Sequence, residues 1–220
     1  MTSATQGIDW TLYAITDEAL SSPLRIEEAA RQAVAGGARI VQLRDKQALS
    51  RALYDKALAL REVTAQGGAL FIVNDRADVA LAAKADGVHV GQDDLPASVV
   101  RRIVGQEMIV GVSVATLEEA RAAILDGADY LGVGPILHTT TKEISGATGV
   151  ELLRRIRQET DLPLVAIGGI GLSNIGEVAR AGAKGAAVIS ALMGAPDIQK
   201  AARELIAAFR EGRGGGVRKA

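Results

Sequence analysis

The chain has no cysteine. A disulfide framework, a thiolate nucleophile and a cysteine metal site are therefore excluded. Aromatic residues make up only 3% of it, too few for the stacking platforms that single-stranded nucleic acid needs. Neither sign of charge is in excess, since 25 Lys and Arg stand against 26 Asp and Glu for a formal net charge of -1. This argues against DNA, RNA or an anionic membrane as partner, while a local basic cluster can still hold a small anion. No apolar run approaches membrane-spanning length, and the polar opening Met1 to Asp9 lacks the apolar core of a signal peptide. The expectation is a soluble cytoplasmic protein acting on small molecules, with association of identical chains left open.

What is present is an alternation. Apolar residues make up 48% of the 220, and eight short β-like runs are bounded by Gly, Asn or Asp. They are Leu12 to Ile15, Ile40 to Leu43, Leu70 to Val73, Val88 to Val90, Ile109 to Val112, Tyr130 to Val133, Leu164 to Ile167 and Ala187 to Ile189. Helical spacing lies between them, as in Leu49, Leu53, Ala57 and Leu60. A weak echo, Ala35-Gly36-Gly37-Ala38, Asp126-Gly127-Ala128 and Ala181-Gly182-Ala183, sits each time between helix and strand. Glycine there ends the helix in a left-handed turn. Eight such units predict a single α/β domain, a (β/α)8 TIM barrel over residues 12–210 with its active site at the C-terminal ends of the strands. A tail is expected over 1–11 and a disordered one over 211–220.

The residues that follow each run are unusually polar. Parallel neighbouring strands would bring Asp75 and Asp94 to one rim, where two carboxylates suit a magnesium ion that takes its other ligands from water and substrate phosphates. Their plainer role is as turn and cap residues. Arg44 and Lys46, two apart, face the same way on an extended chain, and with Lys142 they can hold a diphosphate beside such an ion. Ordinary surface pairing, with Asp45 as partner, is the alternative. Gly168-Gly169, the helix predicted from Ser173, and Ile189-Ser190 fit the phosphate site that barrels build after strands seven and eight. Ser113, Thr139 and Thr141 offer hydroxyls for phosphate or substrate, though the alternative of loop and cap roles is stronger for them than for any charged group here. His89, inside strand four, reads as a packed histidine rather than a base. His138 is better placed, but no nucleophile motif accompanies either histidine. Two phosphate-bearing ligands in one mouth, with magnesium and cations around a diphosphate, point to alkyl transfer from a diphosphate.

Leu12-Tyr13-Ala14-Ile15-Thr16-Asp17, Val41-Gln42-Leu43-Arg44-Asp45-Lys46, Val73-Asn74-Asp75-Arg76, Gly91-Gln92-Asp93-Asp94, Gly111-Val112-Ser113, Thr139-Thr140-Thr141-Lys142, Ala166-Ile167-Gly168-Gly169-Ile170 and Ile189-Ser190 together resemble the motifs of the thiamine phosphate synthase family, in its order. The match covers about Leu12 to Pro196. The resemblance implies a transferase that joins 4-amino-2-methyl-5-pyrimidinylmethyl diphosphate to thiazole ethyl phosphate, or its carboxylated form. Thiamine phosphate and pyrophosphate are the products, with one Mg2+ ion and a pyrimidine carbocation on the way. By matched position, Gln42, Leu43, Arg44, Asp45, Lys46, Asn74, Ser113 and Lys142 would bind the pyrimidine diphosphate, with Arg44, Lys46, Ser113 and Lys142 assisting catalysis. Thr139, Thr140, Thr141, Gly169, Ile189 and Ser190 would bind the thiazole phosphate, and Asp75 and Asp94 the metal. Two departures stand out: Ala115 replaces a histidine common in relatives, and the loop from Glu143 to Thr148 lacks their proline. A thiazole tautomerase would have no use for Arg44, Lys46, Asp75 and Asp94 together. A non-enzymatic phosphate sensor lacks a DNA-reading helix or basic face.

Overall fold

The computed structural model describes residues 5–137 and 149–214. Eight strands, β1 (Leu12–Ile15), β2 (Ile40–Leu43), β3 (Leu70–Asn74), β4 (Gly87–Val90), β5 (Ile109–Val114), β6 (Tyr130–Val133), β7 (Leu164–Ile167) and β8 (Gly185–Val188), are all parallel. They close in sequence order, with β1 bonded to β8. Between them run α1 (Glu18–Ser21) and α2 (Ile26–Ala35), α3 (Ser50–Gly67), α4 (Ala77–Ala82), α5 (Ala97–Val104), α6 (Leu117–Leu125), α7 (Gly149–Glu159) and α8 (Ile175–Arg180). The chain ends in α9 (Ser190–Met193) and α10 (Ile198–Gly214). The expected (β/α)8 barrel is the fold.

Strand alternation divides the apolar residues into two cores. Leu12, Ala14, Val41, Leu43, Phe71, Val73, Val88, Val90, Leu131 and Ala166 face outward and pack with the helices. Tyr13, Ile15, Ile40, Ile72, Ile109, Tyr130, Val165 and Ala187 fill the barrel, closed from below by Trp10. The single tryptophan and two of the three tyrosines therefore sit inside the barrel. Glycine makes the room for them, because a Cβ on Gly111 would run into the Tyr130 ring and one on Gly185 into the Trp10 backbone. The helix-ending echo is also present, with Gly37, Gly127 and Gly182 at positive φ.

Several boundaries differ from the sequence expectation, with β5 running on to Val114 among them. Strand eight begins two residues earlier, at Gly185, since a glycine facing Trp10 belongs to the pleat although it adds nothing to an apolar run. The helix after β7 starts at Ile175, not Ser173, because Asn174 first ties the loop, accepting from Gly171 N and donating to Gly169 O. The ends are more integrated than tails: Thr5 and Trp10 are buried, and α10 continues through Gly214. Gly212 packs on Gly176 of α8, with no space for a Cβ between them. Glycine there permits close helix contact rather than ending the helix. Residues 1–4 and 215–220 of the expected tails lie outside the described ones.

Candidate active site

The C-terminal ends of the strands surround a cavity of about 310 Å³ lined by Ile15, Gln42, Arg44, Lys46, Asn74, Asp75, His89, Gly91, Asp94, Ser113, Ile167 and Ile189. The sequence reading named eight of these as ligands of substrate or metal, and the closed barrel brings those eight together. A second cleft of about 310 Å³, lined by Val114, Ala115, Glu119, Gly132, Gly134 and Pro135 among others, joins it at Ser113 and Ile167. The mouth thus has a charged lobe and a less polar one. Ala115 lies in the second, its N–H donated to Glu119 Oε2 at 2.7 Å.

Asp75 directly follows β3, with φ at 63°, a left-handed conformation that aspartate tolerates better than most residues. Its N–H donates to the His89 carbonyl at 2.8 Å. Asp94 is held by the Gly91 N–H, which donates to its Oδ2 at 2.8 Å. Burial, then the adjoining Asp94 carboxylate, push the Asp75 carboxyl up to about 6, against the opposing pull of Lys46. Lys46 Nζ stands 3.6 Å from Asp75 Oδ2. Two acids crowded this closely call for positive charge between them. No group of three or more His, Cys, Asp or Glu is gathered among the described residues. A cation held by this pair would have to draw its remaining oxygen ligands from water and phosphate. Arg44 lines the same cavity, and among the described residues no ion pair occupies its guanidinium.

Gln42 is 2% exposed, and its Nε2 donates to Tyr13 Oη at 2.8 Å. His89 is satisfied, as expected: Nδ1 is 2.8 Å from Tyr130 Oη and Nε2 is 2.8 Å from Ser113 Oγ. Burial pushes its pKa down to about 4, so the imidazole is neutral. Ser113 is the penultimate residue of β5.

Two expected substrate residues point elsewhere. Leu43 alternates to the outer face and is fully buried under the helices, so only its backbone can reach the mouth. The Asp45 carboxylate accepts from Gln47 N and Ala48 N and pairs with Lys56 Nζ at 2.8 Å. The Lys56 hydrogen bond, more than any other cause, holds it below the usual carboxylate range. Its carboxylate caps the loop and does not line the cavity.

After β7, Gly168 and Gly169 have φ of 94° and 68°. Any Cβ there would strike Pro135 or Leu137. Ile189 precedes the first turn of α9, and Ser190 opens it. The two loops adjoin, since a Cβ on Gly171 would be 3.6 Å from Ala191 Cβ. Gly169 and Ser190 do not line the cavity itself; they follow its Ile167 and Ile189 walls. His138, Thr139, Thr140, Thr141, Lys142 and the loop from Glu143 to Thr148 lie outside the described residues. What sequence reading missed are the apolar walls Ile15 and Ile167 and the buried Tyr13 and Tyr130. Strand parity was the available signal, since Tyr13 and Ile15 must face the same way.

Residues 12–192 match a family model described as thiamine monophosphate synthase. The chain is 51% identical over 199 residues to the thiamine-phosphate synthase of Chloroflexus aurantiacus, covering 90% of this chain and 92% of that one. It is 50% identical to that of Methanospirillum hungatei, covering 90% and 96%. Among solved structures, thiamine phosphate pyrophosphorylase from Pyrococcus furiosus superposes with a TM-score of 0.85 at 44% identity, covering 93% of this chain and 97% of that one. A 3-hexulose-6-phosphate synthase, at 21% identity and a TM-score of 0.63, shares the fold alone. With the family model spanning most of the barrel and relatives half identical along nearly their whole length, the chain belongs to the thiamine monophosphate synthase family.

Proposed function

We propose that the protein joins a pyrimidinylmethyl diphosphate to a thiazole phosphate, forming thiamine phosphate and pyrophosphate. The observation that carries this is the meeting of Asp75 and Asp94 with Lys46 and Arg44 around one cavity at the strand ends, in a chain half identical to thiamine-phosphate synthases. Arg44 and Lys46 hold the diphosphate, and Gln42, Asn74 and Ser113 orient the pyrimidine. Asp75 and Asp94 hold one magnesium ion, which when bound stabilises negative charge on the departing pyrophosphate.

The carbon–oxygen bond breaks with its electron pair leaving on pyrophosphate, and a pyrimidine-stabilised carbocation remains. The thiazole nitrogen lone pair then forms the new carbon–nitrogen bond. No proton is abstracted, which agrees with a mouth whose one described histidine is buried, neutral and doubly hydrogen-bonded. Gly169, Ile189 and Ser190 offer backbone and hydroxyl donors to the thiazole phosphate, in company with Thr139, Thr140 and Thr141, while Lys142 adds a cation at the diphosphate. Such charged substrates do not cross a bilayer unaided, which favours a cytoplasmic reaction; no described helix is long and apolar enough to cross a membrane. A tautomerase of the same fold would leave the four charged residues without a task.

The test is to mix the purified chain with both substrates and magnesium and to follow pyrophosphate and thiamine phosphate. Stoichiometric release of both is expected with one of the two thiazole forms. Absence of both products with either form would overturn the reading.

A further inference from the structure

Five polar side chains cross the floor of the mouth in an unbroken series. Gln42 Nε2, Tyr13 Oη, Tyr130 Oη, the two nitrogens of His89 and Ser113 Oγ are linked by four contacts, each 2.8 Å. They come from β2, β1, β6, β4 and β5. Tyr13, Tyr130, Gln42 and His89 are all nearly fully buried, so water does not interrupt the series. A buried network of this kind has one consistent arrangement of protons or is left with a costly unpaired group.

The direction follows from the first member. An amide nitrogen only donates, so Tyr13 Oη accepts from Gln42 and spends its own proton on Tyr130 Oη. Tyr130 then donates to His89 Nδ1. The neutral imidazole must carry its proton on Nε2 and donate it to Ser113 Oγ, which leaves the serine hydroxyl hydrogen free for the cavity. The amide oxygen of Gln42 is at the same time left as an acceptor.

We propose that Tyr13, Tyr130 and His89 form a one-way hydrogen-bond relay that couples Gln42 to Ser113 and decides that the first accepts from, and the second donates to, the ligand in the mouth. These three are positioning residues, since the relay acts through Gln42 and Ser113. An acceptor on one wall and a donor on another complement an aromatic ring that carries an amino group next to a ring nitrogen. That last step rests on the reaction proposed above; the relay itself does not. Reversing the relay would require turning the Gln42 amide over and would exchange both roles together, so a ligand is read by the pair and not by either residue alone.

The chain contains only two histidines, so ¹⁵N-histidine labelling gives two imidazole spectra, and a His138→Gln variant assigns them. In ligand-free protein at neutral pH, His89 is expected as the Nε2–H tautomer. Tyr130→Phe removes the donor to Nδ1 and should give a mixed tautomer, with KM for the pyrimidine diphosphate raised roughly fivefold to tenfold and KM for the thiazole phosphate unchanged. Tyr13→Phe, one link further from the imidazole, should loosen the same preference, which packing alone would not transmit. It also serves if Tyr130→Phe fails to fold. An Nδ1–H tautomer in the unsubstituted protein, or tyrosine variants that leave tautomer and KM untouched, would overturn the relay. Because the tautomer is read without substrate, its failure belongs to the relay alone, whereas absent turnover in a protein with the Nε2–H tautomer is a failure of the reaction reading alone.

Discussion

Asp75 holds its left-handed φ of 63° directly after β3, a conformation that asparagine adopts as readily as aspartate. Asp75→Asn therefore removes the charge while keeping the backbone. Magnesium-dependent pyrophosphate release should fall by about a hundredfold or more, since charge stabilisation at the breaking bond is worth several kcal/mol. Thiazole phosphate binding by calorimetry should be unchanged; full turnover in chelator would refute the metal assignment. His89 makes a different prediction. Its folded pKa of about 4 lies below the ordinary 6.5, so between these values the unfolded chain binds more protons. This contribution is complete above pH 6.5 and is lost as pH falls toward 4, by at most about 3 kcal/mol. Denaturant midpoints measured from pH 7 to pH 4 should fall less steeply in His89→Asn than in the unsubstituted chain.

At the level of strands and helices, the polar ends are tied by repeated devices. Asp86, just before β4, accepts from Phe71 N at 2.7 Å and pairs with Arg61 of α3 at 2.6 Å. Asp129, just before β6, likewise accepts from Val110 N at 2.9 Å and pairs with Arg101 of α5 at 2.5 Å. The second pair is almost entirely buried, with side-chain exposures of 12% and 4%. Asp129→Ala would leave the Val110 N–H unmatched and the buried Arg101 charge without its carboxylate, with only the carbonyls of Gly105, Met108 and Gly127 still accepting from it, at a cost of about 3–5 kcal/mol. Since this is the face opposite the mouth, kcat below the melting range should be preserved, which urea unfolding and a rate assay would check together. Gly111→Ala in β5 puts a methyl into the Tyr130 ring. A loss of about 1–3 kcal/mol is expected from overpacking, with KM for the pyrimidine diphosphate rising as Tyr130 is displaced. Neither Asp86 nor Asp129 stands out in the sequence, because their partners are far away along the chain.

For the whole molecule, ring closure is what joins distant residues, and the last helix helps to complete it. A chain ending at Arg210, where the repeat pattern suggests the barrel stops, loses the contact of Gly212 with Gly176. Its melting temperature should be lower by a few degrees than that of a chain ending at Gly214; equal values would make the last turn of α10 dispensable. Strand count, parallel order and the polar positions after each strand could all be read from the residues, because alternation and helical spacing are local and repeat eight times. Local pattern also named Arg44, Lys46, Asp75 and Asp94, whose chemistry is carried by their side chains wherever they stand. It gave no sign that the Leu43 and Asp45 side chains turn away from the cavity, because adjacency in a motif hides the alternation of faces and a pairing with Lys56. Nor did it give any sign that Tyr13, Tyr130 and His89 would connect Gln42 to Ser113, for those contacts span 24 to 117 positions of chain. The amino-acid order by itself determined the kind of barrel and the charges at its rim. Only the closed tertiary structure decided which of those side chains share a cavity and how its floor is wired, because hydrogen bonds across a barrel depend on distances that no run of neighbouring residues specifies.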